Sequence, residues 1–400
     1  STQSRSSAAS DVYKRQLLTD EKNIPDKLLQ TTEITISLGA KIGDDGLSKL
    51  KDTDQRIFAY LPTEERKYDI PVLVNTNFLT SANRESLHVD SKWNQWIFSE
   101  VAKAIFEWIS ELVQGEYGAQ AYFLLPKHIN GNSLGSSFNR GYDEALKNIP
   151  FVLTEERTVK KIDETIVDFT NISKEAFIDG SCIKRYVEQN VDTRITGKRS
   201  FSLFSQFNRE LKKMGAASLS WNDLDSLFSS NDFMNTHSPE DNIQLIIFFK
   251  KCFDDPKIQE VTNQYLRKLS FVLSHKNNML PPEKVCFPEI SDQRWDEIQS
   301  ELSFINSVLL ERLRFDVATR HWLESLGVTE KTDITYIIQN LIPFIDTYVT
   351  IENAVSVISD IFNLYLKGEL SDELFTKLSP IRLLTLSLIH ISEPTRLLSI

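Results

Sequence analysis

The sequence predicts an α+β fold: an N-terminal antiparallel sheet with one long helix packed on it, followed by mainly helical modules that carry small β-hairpins. Three short β-rich runs with close connections lie before residue 80 and favour the sheet. A long amphipathic stripe after residue 90 favours the packed helix. In the second half, a recurring pair of short apolar runs favours the hairpins.

The sheet is predicted from three runs that precede the long helix. Residues 33–38 alternate, with apolar side chains at every second position, which is typical of a half-buried strand. Residues 56–61 and 72–78 are two further β-rich runs. Pro62 and Pro71 bound the connection between them, as prolines often do at strand ends. Neighbouring strands with short links predict an antiparallel sheet.

The long helix is predicted to begin near residue 91 and to extend to about residue 112. Asp90 and Ser91 offer an N-cap. Apolar residues then recur every three or four positions: Trp93, Trp96, Ile97, Val101, Ala104, Ile105, Trp108, Ile109 and Leu112. Such a stripe covers one face of a helix, which we expect to pack on the sheet.

Helical spacing of apolar residues dominates from about residue 172 onward. It is seen at Phe201, Phe204, Phe207 and Leu211, and again in three later segments: 298–313, 334–348 and 351–366. Each predicts a helix with one apolar face, because this spacing matches the period of 3.6 residues.

A weak internal repeat accompanies these helices. Residues 149–154 and 165–169 are two apolar runs around a polar gap, and residues 269–274 and 284–288 repeat the pattern. Each pair predicts a β-hairpin. Residues 381–385 open a third, truncated copy.

These patterns predict three domains between two foreign ends. An α+β domain is expected over residues 17–158, a helical module with β-hairpins over 159–290, and a further, truncated helical module over 291–386. Residues 1–16 and 387–400 resemble translated adapter sequence and are expected to be non-native tails, so neither the fold nor the function is predicted from them. Both ends of the natural protein are therefore expected to lie beyond this chain.

Net charge, apolar runs and the positions of cysteine and histidine argue against several classes of function. The net charge of −11 argues against a general nucleic-acid surface. No apolar run reaches the length of a membrane span. The cysteines Cys182, Cys252 and Cys286 lie far apart, and the histidines are scattered, so neither a disulfide nor a metal site is expected. This cysteine usage is typical of a cytoplasmic protein.

Two local patterns have a functional and a structural interpretation. The basic stretch 194–213 contains three phenylalanines and suits nucleic-acid binding, but the helical spacing of those phenylalanines favours an amphipathic helix after a linker. Residues 130–137 are rich in glycine and serine, like a phosphate cradle. They lack the Lys-Ser/Thr pair of a P-loop, so a flexible loop is predicted.

Residues 58–87 read FAYLPTEERKYDIPVLVNTNFLTSANRESL. This segment resembles the part of sacsin-like GHKL ATPases that follows the ATP-binding domain, where an FLPT-type strand end precedes an apolar-Pro strand and a turn of the N-x-x-F-L-T type. The following helix, which begins WNQW, fits as well. The segment is also similar to the middle domain of the ninety-kilodalton heat-shock chaperones, with matches at Arg84, Glu85 and Leu87. A second or middle domain of a GHKL ATPase is therefore expected here.

The resemblance implies that Arg84 reaches into a neighbouring ATP site and contacts the γ-phosphate. A fixed guanidinium there would stabilise the charge that develops on a transferring phosphoryl group. Glu64, Glu65 and Lys67 occupy the adjoining loop and are weaker candidates on the phosphate side. The structural alternatives are an ion pair for Arg84 and a solvated turn for the two glutamates.

The motifs of the GHKL nucleotide pocket are not found in this chain: the acidic-x-x-x-Asn helix, the DxGxG turn and the glycine-rich lid. The resemblance thus implies ATP and Mg²⁺ for a full-length parent and no cofactor for this chain alone. It implies that the chain couples closure of an upstream ATP-binding domain to a helical region that binds a client or partner protein. The competing hypothesis is a non-catalytic helical scaffold for protein interactions.

Overall fold

The computed structural model describes most of the chain and divides into two compact units, residues 1–221 and 222–400. The described residues are 10–18, 33–43, 46–51, 54, 56–65, 68–83, 85–190, 199–254, 265–287, 303–330, 342, 354–366, 368, 370–378, 383–384 and 390–391. Helices and strands both occur, with a long helix early in the chain, as the predicted α+β class requires.

A six-stranded sheet opens the first unit. Its strands are β1 Ser10–Leu18, β2 Glu33–Gly43, β3 Gly46–Ser48, β4 Ile57–Ala59, β5 Leu61–Pro62 and β6 Leu73–Asn75. They lie in the order β1-β2-β6-β4-β5, and β3 pairs with β2. Ile34, Ile36 and Leu38 are all buried, which confirms the predicted alternation in β2.

One strand pair departs from the antiparallel pattern. β4 and β6 run parallel, with Ile57 opposite Val74, whereas the other described pairs of this sheet are antiparallel. After β5 turns back on β4, the chain crosses over and re-enters the sheet on the other side of β4. Such a crossover makes strands parallel, and the apolar pattern of a strand does not specify its direction.

Residues 10–16, which the sequence predicts to belong to a non-native tail, form most of β1. This strand pairs with β2 over nine residues. Arg15 also forms ion pairs with Glu100 at 3.3 Å and Glu107 at 3.2 Å. The ladder uses backbone groups, which any sequence supplies, and the edge of β2 accepts them. The non-native origin of residues 1–16 stays a prediction.

The predicted long helix is confirmed as α1, Lys92–Leu112, with Ser91 as its N-cap. Ser91 accepts a hydrogen bond from the amide of Asn94 at 3.4 Å. Of the predicted stripe, Trp96 is half-buried and the other members are buried: Trp93, Ile97, Val101, Ala104, Ile105, Trp108, Ile109 and Leu112. The helix thus contributes its apolar face to the core of the first unit.

A second helix, α2, packs on α1 where the sequence predicts a loop. It spans Ser133–Asn148, and Asn132 caps it by accepting from the amide of Leu134 at 3.1 Å. A Cβ at Gly141 would lie 2.1 Å from the backbone oxygen of Ser99 on α1, so the close approach requires glycine here. The prediction of a loop through residue 137 is wrong because Asn132 is an N-cap.

A small module completes the first unit. Its elements are β7 Val152–Leu153, β8 Val159–Lys160, β9 Thr165–Asp168, α3 Gly180–Asn190, β10 Ser200–Phe201, α4 Asn208–Met214 and β11 Ala217–Leu219. β7 and β8 form an antiparallel hairpin. β9 lies at the centre of a parallel sheet ordered β10-β9-β11. Phe201 is therefore in a strand, and the predicted helical stripe is helical only from residue 205.

The second unit contains an equivalent module. Its elements are α5 Leu224–Phe228, α6 Asn231–Met234, α7 Pro239–Asp254, β12 Val272–Leu273, β13 Met279–Leu280, β14 Val285–Phe287, β15 Ser303–Phe304, α8 Ser307–Leu313, α9 Val317–Leu326 and β16 Thr329–Glu330. β12 and β13 form the hairpin, and β14 lies at the centre of a parallel sheet ordered β15-β14-β16.

The internal repeat is confirmed, but its hairpins have different partners from those predicted. In each module the first apolar run pairs with the polar gap, and the second apolar run becomes the central parallel strand. The tight turns explain this. Arg157 and Asn277 have positive φ values of 60° and 56°, and the hairpins close by hydrogen bonds from Thr154 to Thr158 and from Ser274 to Asn278, both 2.9 Å.

The remaining described elements are α10 Ala354–Leu366, α11 Asp372–Leu378, β17 Leu383–Leu384 and β18 His390–Ile391. β17 lies within the predicted third copy, and it pairs with β18, which lies within residues 387–400, the segment predicted as a non-native tail. α8 and α10 fall within two of the predicted helices. The predicted helix over 334–348 lies outside the described residues, apart from position 342.

Candidate functional site

Residues 79–83 and 85–88 form a hairpin-like loop between β6 and α1, called here the Arg84 turn after the residue that lies between them in the sequence. Thr80 and Leu87 form an antiparallel bridge. The amide of Ser81 donates to the carbonyl of Ser86 at 2.9 Å, and that of His88 donates to the carbonyl of Leu79 at 3.1 Å. The two legs of the turn are therefore held together by backbone hydrogen bonds.

A buried asparagine fastens both legs of the turn to α1. Asn94 is 0% exposed. Its Oδ1 accepts from the amide of Leu79 at 2.8 Å, and its Nδ2 donates to the carbonyls of Leu79 at 2.8 Å and His88 at 3.0 Å. One side chain thus satisfies three backbone groups, and it fixes where the turn begins and ends relative to the rigid helix.

The loop after β5 braces the same turn from a second direction. Glu65 is buried, and its Oε1 accepts from the amide of Leu87 at 3.0 Å. The amide of Glu64 donates to the carbonyl of Glu85 at 2.9 Å. These two bonds are made by adjacent residues of one loop, so they limit both sliding and rotation of the turn.

Polar side chains also bond within the turn itself. The hydroxyl of Ser81 donates to Asn83 Oδ1 at 2.5 Å, and Asn83 Nδ2 donates to the carboxylate of Glu85. Asn83, Glu85 and Ser86 are nevertheless exposed to solvent. The turn therefore combines a braced base with a polar surface that an incoming partner can reach.

The tip of the β4–β5 hairpin presents two large apolar side chains close to this loop in sequence. Tyr60 is 74% exposed and Leu61 is 53% exposed. Tyr60 has a φ of 62°, which is uncommon for a bulky residue, and its amide donates to Asn75 Oδ1 at 3.1 Å. Two neighbouring exposed apolar side chains are common on protein surfaces, so this pair by itself does not indicate a contact surface.

The predicted site residues have different positions in the structure. Arg84 and Lys67 lie outside the described residues, and the residues on either side of Arg84, Asn83 and Glu85, belong to the braced turn. Glu64 is exposed, as a solvated turn predicts. Glu65 is instead buried against the amide of Leu87, so the two glutamates do not act as a pair.

Asn94 is a residue whose anchoring role the sequence does not predict. A signal for it exists, because Asn94 stands between Trp93 and the rest of an otherwise apolar helix face and becomes fully buried. A buried amide on an apolar face must find hydrogen-bond partners, and the nearest unpaired backbone is the turn that leads into the helix. The brace from Glu65 has no comparable signal, since it depends on how two loops meet.

Two further properties of the described residues bear on the kind of site. Within the part of the chain that the structure describes, no group of three or more His, Cys, Asp and Glu side chains is arranged to hold a metal ion. In the same described residues, no helix combines the length and the apolarity that crossing a membrane demands.

Comparison with known proteins gives a short match. No family model matches this chain, and no solved structure matches it. A stretch of 72 residues is 35% identical to a protein from Arabidopsis thaliana named Protein NO VEIN. The stretch covers 18% of this chain and 3% of that protein, so the chain spans a small part of the length of the relative that it matches.

Proposed function

We propose that this chain is the coupling region of a sacsin-like GHKL ATPase. In this proposal an upstream domain of the same polypeptide binds ATP, and Arg84 contacts the γ-phosphate in that domain's site. The helical modules then transmit closure to a client or partner protein in the cytoplasm. The resemblance of residues 58–87 motivates the proposal, and the bracing of the Arg84 turn carries it.

The bracing matters because catalysis by a charged group depends on where that group is held. A guanidinium that is fixed opposite a transferring phosphoryl group requires no reorganisation at the moment of reaction. Asn94 and Glu65 hold the turn from two directions through hydrogen bonds of 2.8 to 3.0 Å. This bracing supports the proposal, because it holds the turn in one position relative to α1.

ATP and Mg²⁺ would be bound chiefly by the upstream domain, whose motifs this chain lacks. This chain would supply Arg84, with Glu64 and Lys67 as further candidates near the phosphates. Glu65 has a different part in the proposal. Because its carboxylate is buried and bonded to the amide of Leu87, it positions the turn instead of contacting nucleotide.

A non-catalytic scaffold for protein interactions is the second candidate. One observation favours it: α10 exposes several large apolar side chains to solvent, namely Val355, Phe362, Tyr365 and Leu366. An apolar helix face of this kind is suited to a protein partner. Both candidates assign a partner to the helical part, and they differ in what the Arg84 turn does.

ATP hydrolysis by the separately produced upstream domain, titrated with this chain, tests the proposal. Wild type should raise the maximal turnover. Arg84→Ala should bind the domain at the same half-saturating concentration and lose most of that stimulation, because arginines with this role contribute about 10³–10⁵ to turnover. Arg84→Lys should recover little, since a lysine lacks the planar set of donors.

Arg140→Ala is the matched control, because Arg140 is an exposed arginine on α2 of the same unit. It should stimulate like wild type. If Arg84→Ala and Arg140→Ala stimulate equally, or if no variant stimulates at saturation, Arg84 has no catalytic part and the scaffold is the better description.

A further inference from the structure

A small pocket in the first unit is lined by a cluster of cations. Its volume is about 110 Å³. Four stretches of chain meet there: the residues after β3, the residue before β4, the residues before β6, and the segment at the end of the 3-10 helix Gly118–Leu124. The lining residues are Lys49, Leu50, Arg56, Asp69, Pro71, Phe123, Leu125 and Lys127.

The pocket has a positive charge although the whole chain is acidic. Lys49, Arg56 and Lys127 contribute three cations to the lining, and Asp69 contributes one carboxylate. The formal net charge of the chain is −11. A concave, partly apolar surface with excess positive charge concentrates the field and attracts anions.

Arg56 is the fixed cation of the pocket. It is only 4% exposed, and its Nη1 pairs with the carboxylate of Asp69, whose side chain is 76% exposed. Arg56 Nη2 also donates to the carbonyl of Lys51 at 3.5 Å. A guanidinium held in this way offers a planar array of donors that matches phosphate oxygens.

The two lysines lie at the rim on constrained segments. The Nζ of Lys49 lies 5.7 Å from the centre of the Phe123 ring, within the range of a cation–π contact. Gln120 ties the 3-10 helix to β3, because its Oε1 accepts from the amide of Leu47 at 2.9 Å. Lys127 follows that 3-10 helix, so the same hydrogen bond helps to place the second lysine.

We propose that this pocket binds one phosphate group, as a free dianion or as a phosphomonoester. Its volume of about 110 Å³ is well below the roughly 300 Å³ at which pockets for larger organic ligands begin, so a single charged group fits better than a whole nucleotide. Asp69 acts as an internal competitor, since its exposed carboxylate occupies the guanidinium until a dianion replaces it. The site is independent of Arg84 and of the proposed ATPase role.

Titration of the full chain with inorganic phosphate, at constant ionic strength set with sodium chloride, tests this site. Lys49→Gln combined with Lys127→Gln should weaken phosphate binding about tenfold, because two of three cations are lost. Asp69→Asn should strengthen it about threefold, because Arg56 loses its internal competitor. A gain of affinity in Asp69→Asn is not expected from damage to the fold.

Lys51→Gln is the control, since Lys51 is an exposed lysine beside the pocket that does not line it. It should leave the affinity within about twofold. A parallel titration with free phosphoserine distinguishes free phosphate from a phosphomonoester as the ligand. Equal affinity for both indicates that the pocket recognises the phosphate group alone. Tighter binding of phosphoserine indicates that the ligand is a phosphorylated residue. The proposal is overturned if phosphate and chloride have the same effect, or if Lys51→Gln weakens binding as much as the double variant.

Discussion

Asn94 and Asn242 are both 0% exposed, and each holds short stretches of backbone against a helix, but they do so in different surroundings. Asn242 on α7 accepts from the amide of Leu273 at 3.0 Å and donates to the carbonyl of Phe271 at 2.9 Å. Those residues are buried in the core of the second module. Asn94 holds a turn whose outer residues face solvent.

This difference in surroundings implies different roles: Asn242 stabilises a buried core, whereas Asn94 positions a turn at the surface. Water cannot replace Asn242, because both of its backbone partners are buried, so its hydrogen bonds contribute mainly to stability. At the Arg84 turn, water has access to much of the backbone once the anchor is removed. The hydrogen bonds of Asn94 therefore contribute less to stability and more to the position of the turn.

The first module supports this view with a different side chain. There Tyr122 takes the place of Asn242: its hydroxyl accepts from the amide of Leu153 at 2.9 Å and donates to the carbonyl of Phe151 at 3.3 Å. Burial raises the pKa of Tyr122, which keeps the hydroxyl protonated and able to donate. In each module a buried amide and a buried carbonyl need a hydrogen-bond partner. Either an asparagine or a tyrosine side chain can provide it.

The largest effect on stability is expected for Asn242→Ala. It leaves a buried amide and a buried carbonyl without their partner, which should cost about 3 kcal/mol in the free energy of unfolding of the second unit. Chemical denaturation followed by tryptophan fluorescence measures this change. Asn231→Ala is a suitable control in the same unit and should shift the free energy by less than about 1 kcal/mol. Equal losses for the two variants would contradict the anchoring role.

Asn94→Ala should cost less, about 2 kcal/mol, although Asn94 makes more hydrogen bonds to backbone. The exposed part of the turn can recover hydrogen bonds from water. Hydrogen exchange should show faster exchange at the amides of Leu79 and Leu87, with α1 unchanged. If Asn94→Ala lowers the free energy of unfolding more than Asn242→Ala does, the two asparagines do not differ in role as described here.

Tyr122→Phe should cost about 1.5 kcal/mol, because the amide of Leu153 then lacks its acceptor in the core. Tyr142→Phe is matched in chemistry and is also a buried tyrosine, and the described structure shows no hydrogen bond from its hydroxyl. It should change the free energy of unfolding by less than about 0.5 kcal/mol. If both substitutions lower the free energy of unfolding equally, the cost comes from losing a hydroxyl group and not from losing hydrogen bonds to the backbone.

The smallest expected effect is a pH dependence at His237, which stacks on Phe233 and lies beside Asn242. Burial lowers the pKa of His237 to about 4, opposed by Asp241. The unfolded chain protonates this group near pH 6.5, so the unfolded state binds more protons below that pH and stability falls as pH falls. Wild type should lose about 1 kcal/mol between pH 7.5 and 5.5.

His237→Phe keeps an aromatic ring and should abolish that slope. His321→Gln removes an exposed histidine of the same unit and should leave the slope intact. If the slope survives in His237→Phe, another group carries it.

Much of the fold could be predicted from local pattern. The burial of Ile34, Ile36 and Leu38 and the cap at Ser91 follow from alternation and helical spacing. The parallel pairing of β4 with β6 and the partner of each hairpin could not be predicted, because they depend on crossovers and on positive φ at Arg157 and Asn277. A non-glycine residue in that conformation has no unique sequence signature.

The candidate site was predictable in part. The segment around Arg84 was found through resemblance, and the loop with Glu64 and Glu65 does contact the Arg84 turn. The sequence could not predict that Glu65 is buried and Glu64 exposed, because this depends on how two loops pack against each other. The proposed phosphate pocket could not be predicted, because Lys49, Arg56 and Lys127 are distant in sequence.

If the proposed upstream ATP-binding domain is supplied, its maximal stimulated turnover, measured with Asn94→Ala in two backgrounds, tests whether the anchor acts through Arg84. In the wild-type background Asn94→Ala should lower turnover about tenfold, because the turn loses its position. In the Arg84→Ala background it should have no further effect, since the group that it positions is gone. An equal fall in both backgrounds would contradict this, and would assign Asn94 to the fold alone.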